Sequence, residues 1–266
     1  MKIAVFAIVA LAGTVASAKV LDTSTSALSA GFGERAQGAW TTSFENFAPG
    51  TLDSQLGWAT SGVNLPWASV VTTNPQDGVQ SVRIQQDTTV AAGTGRLGFS
   101  PSVPTPANTA DTTSWWFYVD QSDVGGADYD FIGQAPTQSF LTWRINLNFQ
   151  GNIRILDDEG EGLLFVDSLA AFPVGSWFQL AVVTDPTANA GAGAIQYYLN
   201  GNLFYTSQTG NVAATSVEQF VFRSDNFQNA GGYAQLDNIS GTIIPTPGAV
   251  ALLGLGGLVA SRRRRA

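Results

Sequence analysis

The sequence predicts an all-β protein built as a two-sheet antiparallel sandwich, and three features of the chain point to it. About a dozen short segments of apolar or alternating character are separated by turn residues. No segment keeps a helical period over a useful length. Only 12% of the 266 residues are charged, whereas Gly and aromatic residues are frequent, which is typical of β-proteins.

The clearest elements are three strands in the middle of the chain. Trp177 to Thr184 is a run of apolar and β-branched residues, and it predicts a buried strand. Ala194 to Leu199 alternates in polarity and predicts a second strand. Asn200-Gly201 then supplies the two positive-φ residues of a type I′ turn, so that Leu203 to Thr206 returns as a hairpin partner.

Other segments predict strands before and after this hairpin. In Phe140 to Phe149, strict alternation places Arg144, Asn146 and Asn148 on one face and the apolar residues on the other. Gln121 to Asp130 is expected to be a polar loop that holds Asp123, Asp128 and Asp130, either solvated or around an exposed Ca²⁺. The remaining predicted strands are Val79 to Gln85, Gly95 to Ser100, Ser114 to Val119, Ile153 to Leu156, Leu163 to Val166, Gln219 to Arg223 and Ala234 to Thr242.

Composition excludes several classes of chemistry. The chain has neither cysteine nor histidine, which removes disulfides, thiolate nucleophiles, Ser-His-Asp triads and most zinc sites. Its net charge is −8, and four of its twelve basic residues lie together at the C-terminus. The rest of the chain is therefore more acidic still, which argues against binding to nucleic acid through phosphates.

The N-terminus predicts an export signal, in which a helix would form over Met1 to Ala18. Lys2 precedes a short apolar stretch, and Ala16-Ser17-Ala18 is a small-x-small cleavage site for signal peptidase. A membrane anchor is the alternative, but the apolar run is short for a bilayer span. Residues 19–42 are rich in Ser, Ala and Gly and are expected to form a lead-in linker.

The body, residues 43–243, resembles a known group of folds. FENFAPGTLDSQLGW near its start, GSWFQLAVVTD and YYLNG in its middle, and LDNIS at its end are similar to the concanavalin A-like lectin/glucanase jelly rolls, which include laminin-G-like domains and family-16 glycoside hydrolases. The resemblance implies a jelly-roll sandwich. It also implies a glycan ligand, which is a polysaccharide either bound or degraded.

The tail, residues 244–266, resembles a PEP-CTERM sorting signal. A Pro-x-Pro motif precedes a short apolar, Gly-rich stretch, expected to be helical, and then Arg262 to Arg265. The resemblance implies an exosortase-type membrane protease that acts near Pro245, Thr246 and Pro247, and a location at the surface or in the extracellular matrix of a bacterium. An ordinary tail anchor is the alternative, and either interpretation places the body outside the cytoplasmic membrane.

Two sets of residues are candidates for binding. Arg144, Asn146 and Asn148, with Trp116 if it is exposed, have the character of a carbohydrate face, in which rings stack on sugars and polar groups fix hydroxyls. The alternative is a core tryptophan and a solvated outer face. Since Trp115 and Trp116 are adjacent in one predicted strand, they must face opposite sides.

The resemblance also implies structural calcium where the first and last strands of the fold meet. It assigns Asp237 as the main ligand, with Glu45 and Gly78 beside it, and oxygen ligands of this kind suit a hard cation. The alternative is that Asp237 only caps nearby backbone groups.

No strand carries the Glu-x-Asp-x-x-Glu pattern of family-16 hydrolases. The nearest acidic run, Asp157 to Glu161, is typical of a solvated turn, so Glu159 and Glu161 are weak catalytic candidates. The sequence therefore favours a non-catalytic glycan-binding or surface structural protein. A polysaccharide hydrolase or lyase of the same fold remains the alternative.

Overall fold

The structure is a computed structural model that describes residues 39–63, 66–123, 125–138, 140–158, 160, 162–207, 216–226 and 231–243. The predicted signal segment, most of the lead-in and the sorting segment, with both terminal helices, lie outside the described residues. Within the described part there are sixteen β-strands, two short 3₁₀ turns and no α-helix. Every strand pair in it is antiparallel, and the strands form two sheets. The predicted all-β, two-sheet jelly-roll sandwich is confirmed.

The larger sheet has nine strands. Their order is β14-β13-β12-β7-β16-β5-β4-β2, and β1 pairs with β16 beside that path. The strands are β1 (Ala39–Thr42), β2 (Gly50–Thr51), β4 (Ala68–Val71), β5 (Ser81–Gln85), β7 (Asp111–Val119), β12 (Trp177–Asp185), β13 (Ala194–Leu199), β14 (Asn202–Thr206) and β16 (Tyr233–Ile243).

The smaller sheet has seven strands, in the order β11-β10-β9-β8-β15-β6-β3. The strands are β3 (Ala59–Ser61), β6 (Gly95–Phe99), β8 (Asp128–Ala135), β9 (Phe140–Leu147), β10 (Asn152–Asp158), β11 (Leu163–Ala171) and β15 (Gln219–Asp225). The two 3₁₀ turns are Gln121–Asp123 and Asn189–Gly191.

The predicted central hairpin is present. β13 and β14 pair through a tight turn at Asn200 and Gly201, whose φ angles are 50° and 78°. These values match the type I′ geometry that Asn-Gly favours. The alternation in β9 is also confirmed, because Trp143, Ile145 and Leu147 are buried in the core.

The sandwich begins earlier than expected. β1 lies inside the predicted linker, and its register pairs Ala39 with Thr242 and Thr42 with Ile239. A bulge between Asp237 and Ser240 divides β16 into two halves. The first half pairs with β5 and the second with β1. β1 has only four residues, which is too short a run to predict a strand from the sequence, and its pairing with the second half of β16 defines it.

Aromatic side chains from both sheets fill the interior. Trp115 of β7 stacks on Trp143 of β9, and both are at most 1% exposed. Two glycines make room for such rings. A Cβ on Gly98 would overlap the ring of Phe222, and one on Gly133 would overlap that of Trp143, so these strands need glycine for close packing. The outer face of the smaller sheet carries both polar and apolar side chains.

Candidate functional site

The candidate site lies on the outer face of the seven-stranded sheet. Four polar residues from four adjacent strands stand directly opposite one another there, in the order Arg223, Asp130, Asn146 and Arg154. Each alternates along its strand with residues that face the core, so the whole row points outward. We call these four residues the charged row.

Asp130 is the centre of the charged row. It is 0% exposed, and its Oδ1 accepts hydrogen bonds from Arg144 Nε at 2.9 Å and Asn146 Nδ2 at 3.1 Å. Its Oδ2 accepts from Arg223 Nη1 at 2.9 Å. Burial by itself would raise the pKa of Asp130, but the charges and hydrogen bonds of Arg144 and Arg223 outweigh it and hold the pKa below its ordinary value. The carboxylate therefore stays ionised and fixes two guanidinium groups.

Each end of the charged row is held by a further acidic residue. Arg223 Nη2 donates to Asp225 at 2.6 Å. Arg154 donates to Asn146 Oδ1 from both Nε, at 2.8 Å, and Nη2, at 2.6 Å, and Nη2 lies 3.3 Å from Asp128. The arginine side chains are therefore preorganised, although about a quarter of each of Arg154 and Arg223 stays exposed.

An aromatic ring lies next to the charged row. Phe165, on β11, is half-buried, and the guanidinium carbons of Arg144 and Arg154 lie 5.0 Å and 4.9 Å from its centre. Cations at such distances interact favourably with the ring. Phe99, Val221 and Ile132 stand opposite one another in the next row, but Val221 and Ile132 are buried, at 1% and 6% exposure. The face thus combines fixed hydrogen-bond donors with the partly exposed rings of Phe165 and Phe99.

The predicted carbohydrate residues are only partly brought together. Arg144 and Asn146 belong to the network around Asp130. Asn148 lies just after β9 and is 5% exposed, and its Oδ1 accepts from the backbone of Gln150 and Asn152. Asn148 therefore shapes the β9–β10 turn and offers little surface to a ligand.

Trp116 lies on the opposite side of the molecule. It is half-buried on the outer face of the nine-stranded sheet, opposite Gln179 and Asp237, whereas Trp115 faces the core. The two tryptophans do face opposite sides, as alternation requires. Trp116 and Arg144 cannot contact the same sugar, however, because β7 and β9 belong to different sheets and the two side chains lie on opposite outer faces. The sequence grouped them because it does not reveal which sheet each strand joins.

The expectation of a solvated acidic loop is wrong. Asp128 and Asp130 lie in β8, and Asp123 ends a 3₁₀ turn at 2% exposure. Asp123 accepts a hydrogen bond from the hydroxyl of Tyr129, and burial raises its pKa to about 7. All three carboxyls are buried, so they do not project from an exposed loop.

Sequence reasoning missed Asp130, Arg154, Arg223 and Phe165. Each stands in a predicted or observed β-strand, at a position where the side chains alternate between the two faces. That alternation can be detected in the sequence. Their convergence depends on the strand order β11-β10-β9-β8-β15, and β8 and β15 are distant in the sequence. Without that strand order, the sequence does not show that the four residues lie close together.

The three residues predicted to bind calcium do converge, around residues 76–80. Glu45 Oε1 accepts from the backbone N–H groups of Val79 and Gln80, both at 3.0 Å. Asp237 Oδ2 accepts from Gln76 N at 3.0 Å. A side chain at Gly78 would collide with the Glu45 carboxylate, so the loop depends on glycine there.

The donor set of this corner suits a hard cation. Asp237 is 0% exposed and has no arginine or lysine ion-pair partner among the described residues. Burial, backed by the nearby negative charge of Glu45, raises its pKa to about 7, which is the condition that a bound cation would relieve. Backbone N–H groups already satisfy part of each carboxylate, and carbonyl oxygens would have to complete a shell.

Several predicted positions lie outside the described residues, namely Ala18, Pro245, Thr246, Pro247, Glu159 and Glu161. Across the described ranges, no group of three or more His, Cys, Asp or Glu side chains could hold a metal ion. The same part of the chain contains no helix long and apolar enough to cross a membrane.

Residues 91–240 match the Laminin_G_3 family, described as the concanavalin A-like lectin/glucanases superfamily. The match covers more than half of the 266 residues. The chain belongs to this family. No curated protein matches it. The Laminin_G_3 region contains β6 to β15 and most of β16, and therefore the whole charged row.

Solved structures share this sandwich fold at low sequence identity. An endo-beta-1,4-glucuronan lyase from the fungus Trichoderma reesei superposes with a TM-score of 0.53 at 13% identity, over 74% of this chain and 94% of that one. The alginate lyase Aly36B, solved with an alginate trisaccharide, has a TM-score of 0.51 at 14% identity, over 78% and 99%. A sialidase has a TM-score of 0.52 at 16% identity over 78% of this chain, which spans only 19% of the sialidase. At these identities the likeness establishes the fold.

Proposed function

We propose that this protein binds a polysaccharide on the outer face of its seven-stranded sheet, without degrading it. The observation that carries the proposal is the charged row fixed beside Phe165. Sugars are recognised by rings that stack on their apolar faces and by fixed donors and acceptors that meet their hydroxyls. Arg144 and Arg154 are such donors. Asp130 holds Arg144 directly and Arg154 through Asn146, which is 2% exposed and acts as a positioning residue, so that little side-chain entropy is lost on binding.

A binding role fits the protonation state of the central carboxylate. A general acid or base works best when its pKa lies near the operating pH. The pKa of Asp130 is instead lowered by Arg144 and Arg223, and both of its oxygens are occupied. The alginate lyase and glucuronan lyase of similar fold act, by their names, on polysaccharides, which makes this ligand class the first to test.

The test is affinity electrophoresis of the full chain in gels that contain β-glucans, galactans or alginate. Phe165→Ala and Arg144→Ala should abolish the retardation seen for the wild type. Trp116→Ala is the matched control, since it removes a half-buried aromatic side chain from the opposite face. If retardation persists in both outer-face variants but is lost in Trp116→Ala, the binding site lies on the nine-stranded sheet instead.

The same panel tests the enzymatic alternative. Each polysaccharide is incubated with the protein and followed for reducing ends and for the ultraviolet absorbance of unsaturated products. The proposal expects neither to rise above a boiled-protein control. Turnover that disappears in Arg144→Ala would establish a polysaccharide-degrading enzyme that uses this face.

We also propose that the protein is exported and sorted to the bacterial cell surface or matrix. Signal peptidase would cut after Ala18, and an exosortase-type protease would act near Pro245, Thr246 and Pro247, so that membrane contact is confined to the C-terminal segment. Intact-mass measurement of the protein from envelope and medium fractions tests both cuts. A mass that retains Met1 to Ala18 contradicts the first cut.

A structural calcium ion, held by Asp237 and Glu45 with backbone oxygen near Gly78, is proposed as a stabiliser of the fold. When bound, the ion would supply positive charge to a buried carboxylate. Asp237 connects the loop at 76–80 to β16, and Glu45 connects the same loop to the segment that follows β1.

A further inference from the structure

We propose that two copies of this chain pair through the free edge of β11, so that their seven-stranded sheets join into one. β11 is the last strand of its sheet, and among the described residues only β10 pairs with it. Its other edge therefore carries a row of backbone N–H and C=O groups with no strand beside it. Such an edge can accept a further strand through main-chain hydrogen bonds. The proposal does not rest on polysaccharide binding.

β11 lacks the features that protect most edge strands. Proteins usually guard an exposed edge with Lys, Pro or a bulge. Leu163–Ala171 contains no Lys, Arg or Pro, and its one charged residue is Asp167, which lies 3.7 Å from Arg154. β11 pairs with β10 in unbroken register from Leu163 to Val166, and the register shifts only beyond Val166. The first part of β11 is therefore a regular, unguarded edge.

Exposed apolar side chains accompany this edge. Leu163 is 43% exposed and Leu164 is 59% exposed, and they are two of the five large hydrophobic side chains that the described residues expose. Half-buried Phe165 and Val166 follow them directly. Removing apolar surface from water is favourable. Main-chain hydrogen bonding and apolar burial would thus stabilise the same contact.

Charge favours a second copy of this chain as the occupant. The net charge is −8 and four of the twelve basic residues lie at the C-terminus, so the sandwich is more acidic still. Two such bodies repel each other over most of their surface, but the stretch from Leu163 to Val166 carries no charge. A two-fold contact needs a patch that is complementary to itself. Antiparallel pairing of this uncharged edge meets that condition, and it places the two acidic β10–β11 turns at opposite ends of the contact.

Alternation and charge also select the register. Leu164 stands opposite Asp157 and faces inward, whereas Phe165 stands opposite Leu156 and faces outward. A register centred on Phe165 keeps these faces aligned, because Phe165 meets its own copy and Leu164 meets Val166 of the second copy. Centring the pair on Asp167 would set two carboxylates opposite each other, which is destabilising. In the register on Phe165, the two charged rows lie on one continuous surface.

The first experiment measures the mass of the full chain by size-exclusion chromatography with multi-angle light scattering. At about 100 µM protein, micromolar dimers are mostly assembled, and the wild type should have the mass of two chains. Leu164→Lys places a charge on the exposed edge and should raise the dissociation constant at least about tenfold. Val79→Lys is the matched control, since Val79 is 62% exposed and precedes β5 in the other sheet. It should keep the mass of two chains.

The second experiment tests the register, and it uses the fact that the chain contains no cysteine. In Phe165→Cys, the two introduced thiols would face each other across the two-fold axis, so oxidised glutathione should join them in an intermolecular disulfide. In Leu163→Cys, the two thiols would lie about 13 Å apart along the paired strands. Non-reducing electrophoresis should show disulfide formation at least about tenfold slower in Leu163→Cys. Random collisions would instead favour residue 163, which is more exposed than residue 165.

Three outcomes overturn the proposal. A single-chain mass for the wild type would leave the edge to an extended segment of another protein. A two-chain mass that persists in Leu164→Lys would place the contact elsewhere, and equal disulfide rates in the two cysteine variants would reject the register and the paired edge. If Leu164→Lys fails to fold by circular dichroism, the cysteine variants decide. Leu164 faces away from the charged row, so polysaccharide retardation of Leu164→Lys tests glycan binding separately, and the failure of either proposal leaves the other standing.

Discussion

Trp115 and Trp143 stack across the interior of the sandwich, with ring centroids 5.6 Å apart and planes inclined by only 4°. Trp115 belongs to the larger sheet and Trp143 to the smaller, and both rings are buried. Since large aromatic side chains dominate the energetics of a core, this pair is a main contact between the two layers.

Trp143→Ala is expected to lower the free energy of unfolding by about 3–5 kcal/mol, because it leaves a cavity between the sheets. Urea titration followed by far-ultraviolet circular dichroism measures the loss. Trp116→Ala is the control on the outer face and should lower it by only about 1 kcal/mol. Equal losses for the two variants would contradict the assigned faces.

Gly98→Ala is expected to destabilise the protein by about 1–3 kcal/mol, since the added methyl group overlaps the ring of Phe222 and forces it to shift. The matched variant is Gly231→Ala, whose methyl group would meet only Thr88 Cγ2 at 3.5 Å. It should change stability by less than about 0.5 kcal/mol. Thermal melts of both proteins test the difference, and a neutral Gly98→Ala would refute the close approach of β6 and β15.

Asp130→Asn removes a buried charge that two arginines share. We expect a loss of about 3–5 kcal/mol in unfolding free energy, because Arg144 and Arg223 keep their charges without the carboxylate between them. Asp167→Asn is the control, since Asp167 is 67% exposed and lies 3.7 Å from Arg154. It should have an effect below about 0.5 kcal/mol. The urea midpoints of the two variants measure both losses. Similar losses would show that the ion pairs of Asp130 do not stabilise the fold.

Asp111 makes the stability depend on pH. Its carboxyl is 5% exposed and accepts from Val217 N at 3.0 Å, and burial raises its pKa to about 7. In an unfolded chain the group titrates near about 3.9. Between these values the folded state holds a proton that the unfolded state has released, so stability should fall as pH rises from about 4 to about 7.

Asp111→Asn cannot ionise but can still accept from Val217 and donate to Thr184. Between about pH 5 and about pH 8 it should therefore lose less stability than the wild type, by about 2–3 kcal/mol. Asp185→Asn is the control. Hydrogen bonds from Thr187 lower the pKa of Asp185, so its contribution is lost only as the pH falls through that lowered value. Identical pH slopes in the wild type and Asp111→Asn would refute the prediction.

Calcium should raise the melting temperature of the wild type, and a chelator should reverse the rise. A ligand at a hundred times its dissociation constant stabilises the folded state by about 2.7 kcal/mol. Asp237→Asn and Glu45→Gln should each abolish the calcium-dependent difference, whereas Asp167→Asn should keep it. The comparison is made within each variant, so a change in intrinsic stability does not obscure it. A calcium response that persists in Asp237→Asn rejects the proposed site.

The fold could be predicted because its strongest local signals agree with its tertiary structure. Asn200-Gly201 specifies the hairpin by itself, and strict alternation in β9 assigns its two faces. β1 could not be found, since its four residues become a strand only through the edge that the second half of β16 offers.

The site was predicted less completely. Arg144 and Asn146 were found because they alternate with large apolar residues. Asp130 was taken for a loop residue, since charged side chains at 0% exposure are rare and depend on partners from other strands. The pairing of Asp130 with Arg223, ninety-three positions away, is a tertiary fact that no local pattern contains.

The register of Ala39 against Thr242 brings the beginning and the end of the sandwich side by side. A short Gly/Ser linker could therefore join them, and new termini could be opened in the exposed turn at Asn200 and Gly201. Such a circularly permuted chain would keep both sheets, and its new ends would lie at the turn between β13 and β14. A reporter domain could be fused there.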